Sequence, residues 1–372
     1  MDRFSVVIAG GGVAAIEGLL RLRRLVGARA KITLLAPNEE FAFRALSVKE
    51  PFALGAAERH PVPDIARDAG AEWVQDTLEW VDPDGQVVHT TGGVELAYDA
   101  LLLAIGSRLG PAYEHVTTFR DDQADALLTG IVEDIEGGYT ESVAFVSPPG
   151  PVWELPIYEL ALMTAERATS MGMSDVELTV VTPDDAPLAV FGANVSDAVG
   201  KLLDRAGITV HASTVASVPA AQTLQLEPQD VELRPDRIVA LPKISGPGIR
   251  GLPSGSGDGF IPIGAHCSVP GAGDRIFAAG DATAFPVKHG GLGAEQADAA
   301  AAAIARLADV EVAAEPFEPV IRGMLLTGAA PLYRAARLFG GDSLESEVSD
   351  KPLWPSGAKV AAEELNDYLG SR

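Results

Sequence analysis

The chain has a single cysteine, Cys267, in 372 residues, so no internal disulfide can form and a dithiol redox pair within one chain is excluded. Nothing points to an oxidising compartment. No run reaches the ~18 apolar residues of a membrane-spanning helix. The opening MDRFSVVIAGGGVAAIEGLL is apolar but lacks a basic leader and a cleavage site, and its consecutive glycines read as strand, turn and helix. The six histidines (His60, His89, His115, His211, His266 and His289) follow no metal-ligand spacing, so no metal is expected. Positive charge is scarce: 28 basic residues against 52 acidic ones give a net charge of −24, which repels polyanions and excludes nucleic acid as a partner. Repeats at solenoid spacing are also missing. The expected compartment is the cytoplasm.

What remains is a chain 47% hydrophobic, enough for two cores or one large one, with 39 glycines and 26 prolines for tight connections. Phe4 to Ala9 is a β-prone apolar run followed at once by Gly10-Gly11-Gly12-Val13-Ala14-Ala15. Ile16, Leu19, Leu20, Leu22 and Leu25 then recur near helical spacing until Gly27. This is strand, glycine turn and helix, with G-x-G-x-x-A at the junction, the arrangement that holds a dinucleotide pyrophosphate. Gly10 makes the turn, Gly12 lets the phosphates approach, Ala15 permits close packing, and the helix N-terminus offers free N–H groups. The next strand, Lys31 to Leu35, ends in Ala36-Pro37-Asn38 with Glu39 and Glu40 beyond. The acid that NAD sites use for the ribose is missing or displaced, which disfavours NAD in this loop.

Two further landmarks follow. Tyr98 to Gly106 is a buried strand ending in Ala104-Ile105-Gly106, and Arg275 to Ala282 is a strand ending in Gly280-Asp281. FPVKHGG then leads into the alanine-rich helical run GLGAEQADAAAAAIARLA. Together the three motifs resemble the FAD-dependent pyridine nucleotide-disulfide oxidoreductase-like superfamily. The closest flavour is the branch of sulfide:quinone oxidoreductases, flavocytochrome c sulfide dehydrogenases and type II NADH dehydrogenases. EFAFRALSVKEPF, PPGP and PVKHGGL carry that branch resemblance. It implies FAD on Gly10 to Ala15, with Ala104, Ile105 and Gly106 closing the first segment and Asp281 beside Gly280 at the ribityl chain. It extends the cofactor set to Ala36, Pro37, Leu78, Gly291 and Leu292. Arg44 falls near the FAD phosphates, or is a surface charge. Lys288 and His289 precede the helix near Gly291. A lysine and a helix N-terminus there would favour negative charge on reduced flavin, and plain loop residues are the alternative.

The expected fold class is α/β: two Rossmann-like three-layer domains, the second inserted into the first, with a short C-terminal segment. Residues 1–115 and 250–320 form a split FAD-binding domain, 116–249 a second NAD(P)-binding-like domain, and 321–372 the C-terminal segment. Residues 251–259, GLPSGSGDG, read as a turn-rich return, and AAEELNDYL as an amphipathic helix with Val360, Ala361, Leu365 and Leu369 on one side. That helix suits packing on protein better than on lipid.

In relatives that take NADH, the inserted domain opens with its own glycine fingerprint. Here SVAFVS is followed by Pro148-Pro149-Gly150-Pro151. Proline lacks an N–H, so the loop is poorly built for phosphate, and any NAD(P)H binding is expected to be weak. Asp184 and Asp185, after the next strand, read as turn residues. Sulfide:quinone relatives carry a redox cysteine a few residues after the G-P dipeptide, where this chain has roughly Trp153. Cys267 reads as structural, so sulfide oxidation by the two-cysteine route is excluded. By resemblance Glu159 faces the isoalloxazine as a proton shuttle, though a first-turn glutamate also complements a helix dipole, and both readings stay open. The expected function is an FAD-dependent oxidoreductase passing electrons from a small reductant to a quinone-like acceptor, with Glu159 and Lys288 as its catalytic residues. The alternatives are a sulfur-compound oxidoreductase without the cysteine pair and a flavin-binding protein without turnover, serving as electron carrier, sensor or scaffold. The expected partners are small-molecule donor and acceptor, with a homodimer left open.

Overall fold

The computed structural model describes residues 3–255, 257–339 and 342–371. Short, continuously apolar runs become buried parallel strands, because strands covered on both faces need no polar alternation. β1 (Phe4–Ala9) pairs with β2 (Ala30–Leu35) on one side and β4 (Ala100–Leu103) on the other. β3 (Glu72–Val74) and β10 (Ile276–Ala278) complete a parallel sheet in the order β10-β4-β1-β2-β3. Helices α1 (Val13–Val26) and α5 (Gly290–Leu307) cover one face. They sit so close that a Cβ on Gly18 would meet Leu102 of the sheet at 2.7 Å and Ala297 of α5 at 3.4 Å. On the other face, strands Leu78–Asp82, Val87–Thr90 and Glu95–Ala97 form an antiparallel layer whose Leu78, Val81 and Val88 pack with Val7, Leu101 and Leu103.

A second parallel sheet runs β5-β9-β6-β7-β8, from β5 (Thr117–Thr118), β6 (Ser142–Val146), β7 (Glu177–Val181), β8 (Ile208–His211) and β9 (Arg237–Ala240). Helices α2 (Ala124–Glu136), α3 (Leu155–Ser170) and α4 (Ala193–Arg205) share one core with Val143, Phe145, Val180 and Val239. The antiparallel strands Val215–Ala220, Thr223–Glu227 and Val231–Leu233 close its other face. Both units therefore have three layers, in line with the expected α/β class.

Two further parts follow from apolar patterning in the sequence. α2 has Leu128, Ile131, Val132 and Ile135 at helical spacing, all buried. β11 (Val320–Leu325), β12 (Leu332–Phe339) and β13 (Asp342–Ser349) form an antiparallel sheet whose Ile321, Leu325, Ala336 and Leu338 enter the second core. The C-terminal helix α6 (Glu363–Gly370) begins later than the apolar pattern suggests, and it docks through Leu365 onto the core of α1. The buried carboxylate of Glu17 on α1 accepts from the backbone N–H of Glu364 at 3.0 Å and of Leu365 at 2.7 Å, capping α6. The return at 251–259 is turn-rich as expected, and Ser256 within it lies outside the described residues. Among the described residues no helix is long and apolar enough to cross a membrane, and no cluster suits a metal ion.

Candidate functional site

Register brings the three sequence motifs to one edge. Ala9 is aligned with Leu35 and with Leu103, and Leu103 with Ala278, so the segments beginning at Gly10, Ala36, Ala104 and Ala279 leave the sheet side by side. Backbone bonds lock them: Gly10 N donates to Leu35 O at 2.8 Å, Ala104 N to Ala9 O at 2.7 Å, and Ala279 N to Leu103 O at 2.9 Å. Gly10 has φ +128° and a Cβ there would lie 2.1 Å from the Ala104 carbonyl oxygen, so only glycine fits. At Gly12, by contrast, a Cβ would meet no protein atom within 4 Å. Carboxyl edges of parallel sheets are where such folds bind ligands.

The edge opens into a cleft of about 580 Å³. Its lining takes in Gly10, Gly11, Gly12, Val13, Ala14, Pro37, Arg44, Leu78, Ala104, Ile105, Gly106, Gly280, Asp281, Lys288 and His289 from the sequence-predicted set. Ala15, Ala36, Gly291 and Leu292 are buried behind it, as packing residues rather than surface. Residues absent from that set also line it, among them Asn38, Thr77, Trp153, Pro156, Leu241 and Lys359. Asn38 stands just beyond β2, where a dinucleotide site commonly carries its ribose acid.

The charged groups of the cleft are strongly held. Lys288 is 3% exposed, its Nζ donates to the Thr283 carbonyl, and it lies 3.9 Å from the Phe260 ring centroid. Burial pulls its pKa down to about 8 against the opposing pull of Asp281. Burial pushes Asp281 above the usual carboxylate range, with Lys288 opposing and Asp121 adding to the rise. Arg44 Nη1 lies 3.6 Å from Asp121 Oδ1, so this arginine meets an acid across the cleft. His289 is the N-cap of α5, its Nδ1 accepting from Gly291 N at 3.1 Å, and burial drives its pKa down to about 3. It is thus a neutral structural cap. Cys267 is fully buried, and burial raises its thiol to about 12, so no thiolate is available for chemistry.

In the second sheet the corresponding edge has a different chemistry. After β6 the proline loop leads to Glu154 at the N-cap of α3. Glu154 Oε1 accepts from Ser147 Oγ at 3.0 Å and from Thr182 Oγ1 at 3.2 Å, tying the helix start to the ends of β6 and β7. Burial first, and then Asp184, push its carboxyl up to about 8. A carboxyl group therefore stands where a nucleotide site would offer donors. Asp184 itself sits in a turn, its N–H donating to Thr182 Oγ1 at 3.1 Å. Glu154 lies a few residues past the prolines, where a glycine loop would have made way for phosphate.

Glu159 departs from expectation. It is the fifth residue of α3, not in its first turn, and it is fully buried, so it does not complement the helix dipole. Its Oε1 accepts from Lys359 Nζ and, at 2.8 Å, from Leu326 N. Lys359, 4% exposed, also donates to the Met324 carbonyl at 2.8 Å and presents itself in the cleft wall. Glu159 thus reaches the cleft only through Lys359. That partner follows a loop, 200 residues along the chain, and no local pattern marks it.

No protein-family model matches the chain. It is 27% identical over 114 residues to the mitochondrial sulfide:quinone oxidoreductase of Mus musculus, covering 29% of this chain. It is 31% identical over 106 residues to the sulfide-quinone reductase of Aquifex aeolicus, covering 28% of this chain. In both cases the match spans 24% of the relative's length, about a quarter. The crystal structure of the sulfide:quinone oxidoreductase from Aquifex aeolicus superposes with a TM-score of 0.81 at 19% identity, covering 99% of this chain and 90% of that one. Three glycine-bearing motifs meet on one edge, and the chain shares the fold of that sulfide:quinone oxidoreductase structure while carrying a single, buried cysteine.

Proposed function

We propose that the chain binds one FAD in this cleft and passes electrons from a small reductant to a quinone-like acceptor. The convergence of Gly10–Val13, Ala104–Gly106 and Gly280–Asp281 on one cleft carries the reading. The residues present fit FAD: Gly12 leaves an unfilled space at the N-terminus of α1, and free N–H groups there suit a pyrophosphate. The group would supply the electron-transfer chemistry itself. Within the same reading, residues 1–115 and 250–320 are the FAD domain and 116–249 the inserted one. Asp281 would accept from ribityl hydroxyls, Asn38 would meet the adenosine ribose, and Lys288 would present positive charge to the far end of the cleft. Trp153, Leu155 and Pro156 would exclude water from the reacting edge.

Glu154 and the proline loop support a reductant other than a tightly held pyridine nucleotide, since a carboxyl group and three prolines replace phosphate donors. Purified protein is expected to be yellow and to release FAD on denaturation. A colourless protein that takes up no added FAD would sink the proposal. Stopped-flow reduction then separates the donors. Fast reduction by NADH contradicts the reading of the second crevice, and reduction by sulfide or polysulfide alone identifies a sulfur-compound oxidoreductase working without cysteines. A flavin reduced by none of them would make the chain a carrier, sensor or scaffold.

A further inference from the structure

Behind the cleft wall lies a third charge that none of the motifs involves. Arg334 stands on β12 directly opposite Gly323 of β11, and Gly323 also bridges to Val360, next to Lys359. The arginine is fully buried, with its guanidinium carbon 4.7 Å from the centroid of the Phe191 ring. Among the described residues, its Nε, Nη1 and Nη2 have no hydrogen-bond partner. Glycine at 323 makes the slot: a Cβ there would come within 3.3 Å of Arg334 Nε and 3.1 Å of Phe191. The guanidinium is held by shape and ring stacking, not by a carboxylate of its own.

Its charge acts on Glu159 of α3, Lys359 of the C-terminal segment and His289 at the start of α5. Lys49 adds a more distant positive influence on Lys359. Among the described residues, these are the ionisable groups whose charges act on the cluster. His289 is neutral, so one carboxylate faces two cations and a surplus positive charge is buried. Such a surplus is costly and is relieved by loss of a proton. A guanidinium does not give one up, whereas a buried ammonium does. Glu159 cannot relieve it, because taking a proton would increase the positive charge.

We propose that Arg334 is a positioning residue for Lys359: a permanent cation beside Glu159, it makes Lys359 the group of this cluster that exchanges a proton with the cleft. When Lys359 releases its proton, the bond broken is Nζ–H, the proton passes to solvent water or hydroxide entering the cleft, and the Glu159–Arg334 charges remain balanced. Burial and Arg334 both lower the pKa of Lys359, to about 8, with Glu159 opposing. The inference goes beyond the cofactor reading and holds whether or not flavin occupies the cleft.

The test is a lysine titration. The chain has seven lysines, so NMR of protein labelled at lysine Cε or Nζ gives a sparse spectrum, and Lys359→Met identifies the Lys359 signal. In the wild type this signal is expected to titrate at about 8. In Arg334→Met the surplus charge is gone, and the midpoint should rise by roughly one to three pH units. In Arg334→Lys either amine can shed the proton, so the Lys359 step should move up and broaden. That outcome also guards against a purely structural role, which the conservative variant would restore without moving the titration. If Arg334→Met fails to fold, Arg334→Lys alone decides. A wild-type midpoint near the ordinary lysine value of about 10.4 overturns the proposal, as does a midpoint unchanged in both variants. Because no step of the titration needs flavin, a colourless protein would refute the cofactor reading and leave this test intact.

Discussion

Removing the one carboxylate of the buried cluster should destabilise the fold in a pH-dependent way. In Glu159→Gln the shape is kept and the negative charge is lost. Lys359, 4% exposed, then retains only the Met324 carbonyl and sits beside Arg334 with nothing to offset either cation. The lysine must fold neutral. Holding it neutral at pH 7, three and a half units below its ordinary 10.5, costs about 5 kcal/mol at about 1.4 kcal/mol per unit. The wild type, with Lys359 at about 8, already bears about 3.5 kcal/mol of this, so the variant should lose about 1.5 kcal/mol more at pH 7. The sign follows from linkage. Between the depressed folded pKa and 10.5 the unfolded chain binds a proton that the folded one lacks, so stability rises with pH, by about 1.4 kcal/mol per unit. Urea midpoints of variant and wild type measured from pH 6.5 to 9.5 would show this, with the loss relative to the wild type shrinking up to about pH 8 and level above it. The double variant Glu159→Gln, Lys359→Met removes both partners and should recover most of the loss, as replacing a whole buried pair usually does. A single variant that loses less than about 1 kcal/mol at pH 7, with no slope, would refute the reasoning.

Further predictions concern the first sheet and the proline loop. Gly10→Ala must accommodate a Cβ 2.1 Å from the Ala104 oxygen at φ +128°, so the protein should lose at least about 2 kcal/mol in thermal or urea unfolding. Gly12→Val, whose Cβ meets no protein atom within 4 Å, should unfold near the wild-type midpoint yet take up FAD at least ~10-fold more weakly, measured by flavin fluorescence titration. Glu17 has a carboxyl pushed up to about 7, mainly by burial, so the folded state holds a proton that the unfolded chain has lost. Stability should therefore fall between about pH 4.5 and 7, and Glu17→Gln should remove up to ~3 kcal/mol of that fall, read as the difference between variant and wild type. In Pro149→Gly, Pro151→Gly two N–H donors are added, so NADH affinity by calorimetry should stay the same or rise. Micromolar binding in the wild type that is lost in the variant would refute the reading of this loop.

The legible parts were those encoded locally. Gly10 to Ala15 follow an apolar strand and open a helical pattern, so the first βα unit and its cradle can be read from some twenty residues. Ala104 and Gly280 were legible as strand ends, but only the register of β1, β4 and β10 brings them to the same edge. The resemblance points to Glu159, but its setting is not legible locally, because its partner lies on a distant loop. Arg334 carried a faint signal. In LYRAARLF it alternates with Ala336 and Leu338 on the buried side, an unusual place for an arginine, but nothing local says which charges it would meet.

The pairing of Glu159 with Lys359 also orders events during synthesis. The two are 200 residues apart, and at ~5–20 residues per second the lysine emerges roughly 10–40 s after the glutamate. For that interval α3 either carries a protonated carboxyl into its core or stays loosely docked. Nascent chains halted before residue 359 should therefore be protease-sensitive across α3, even with every strand of both sheets already made. Once the segment arrives, Lys359 fastens it to α3 while Glu17 fastens α6 to α1, and a single late stretch ties both halves into one cooperative unit.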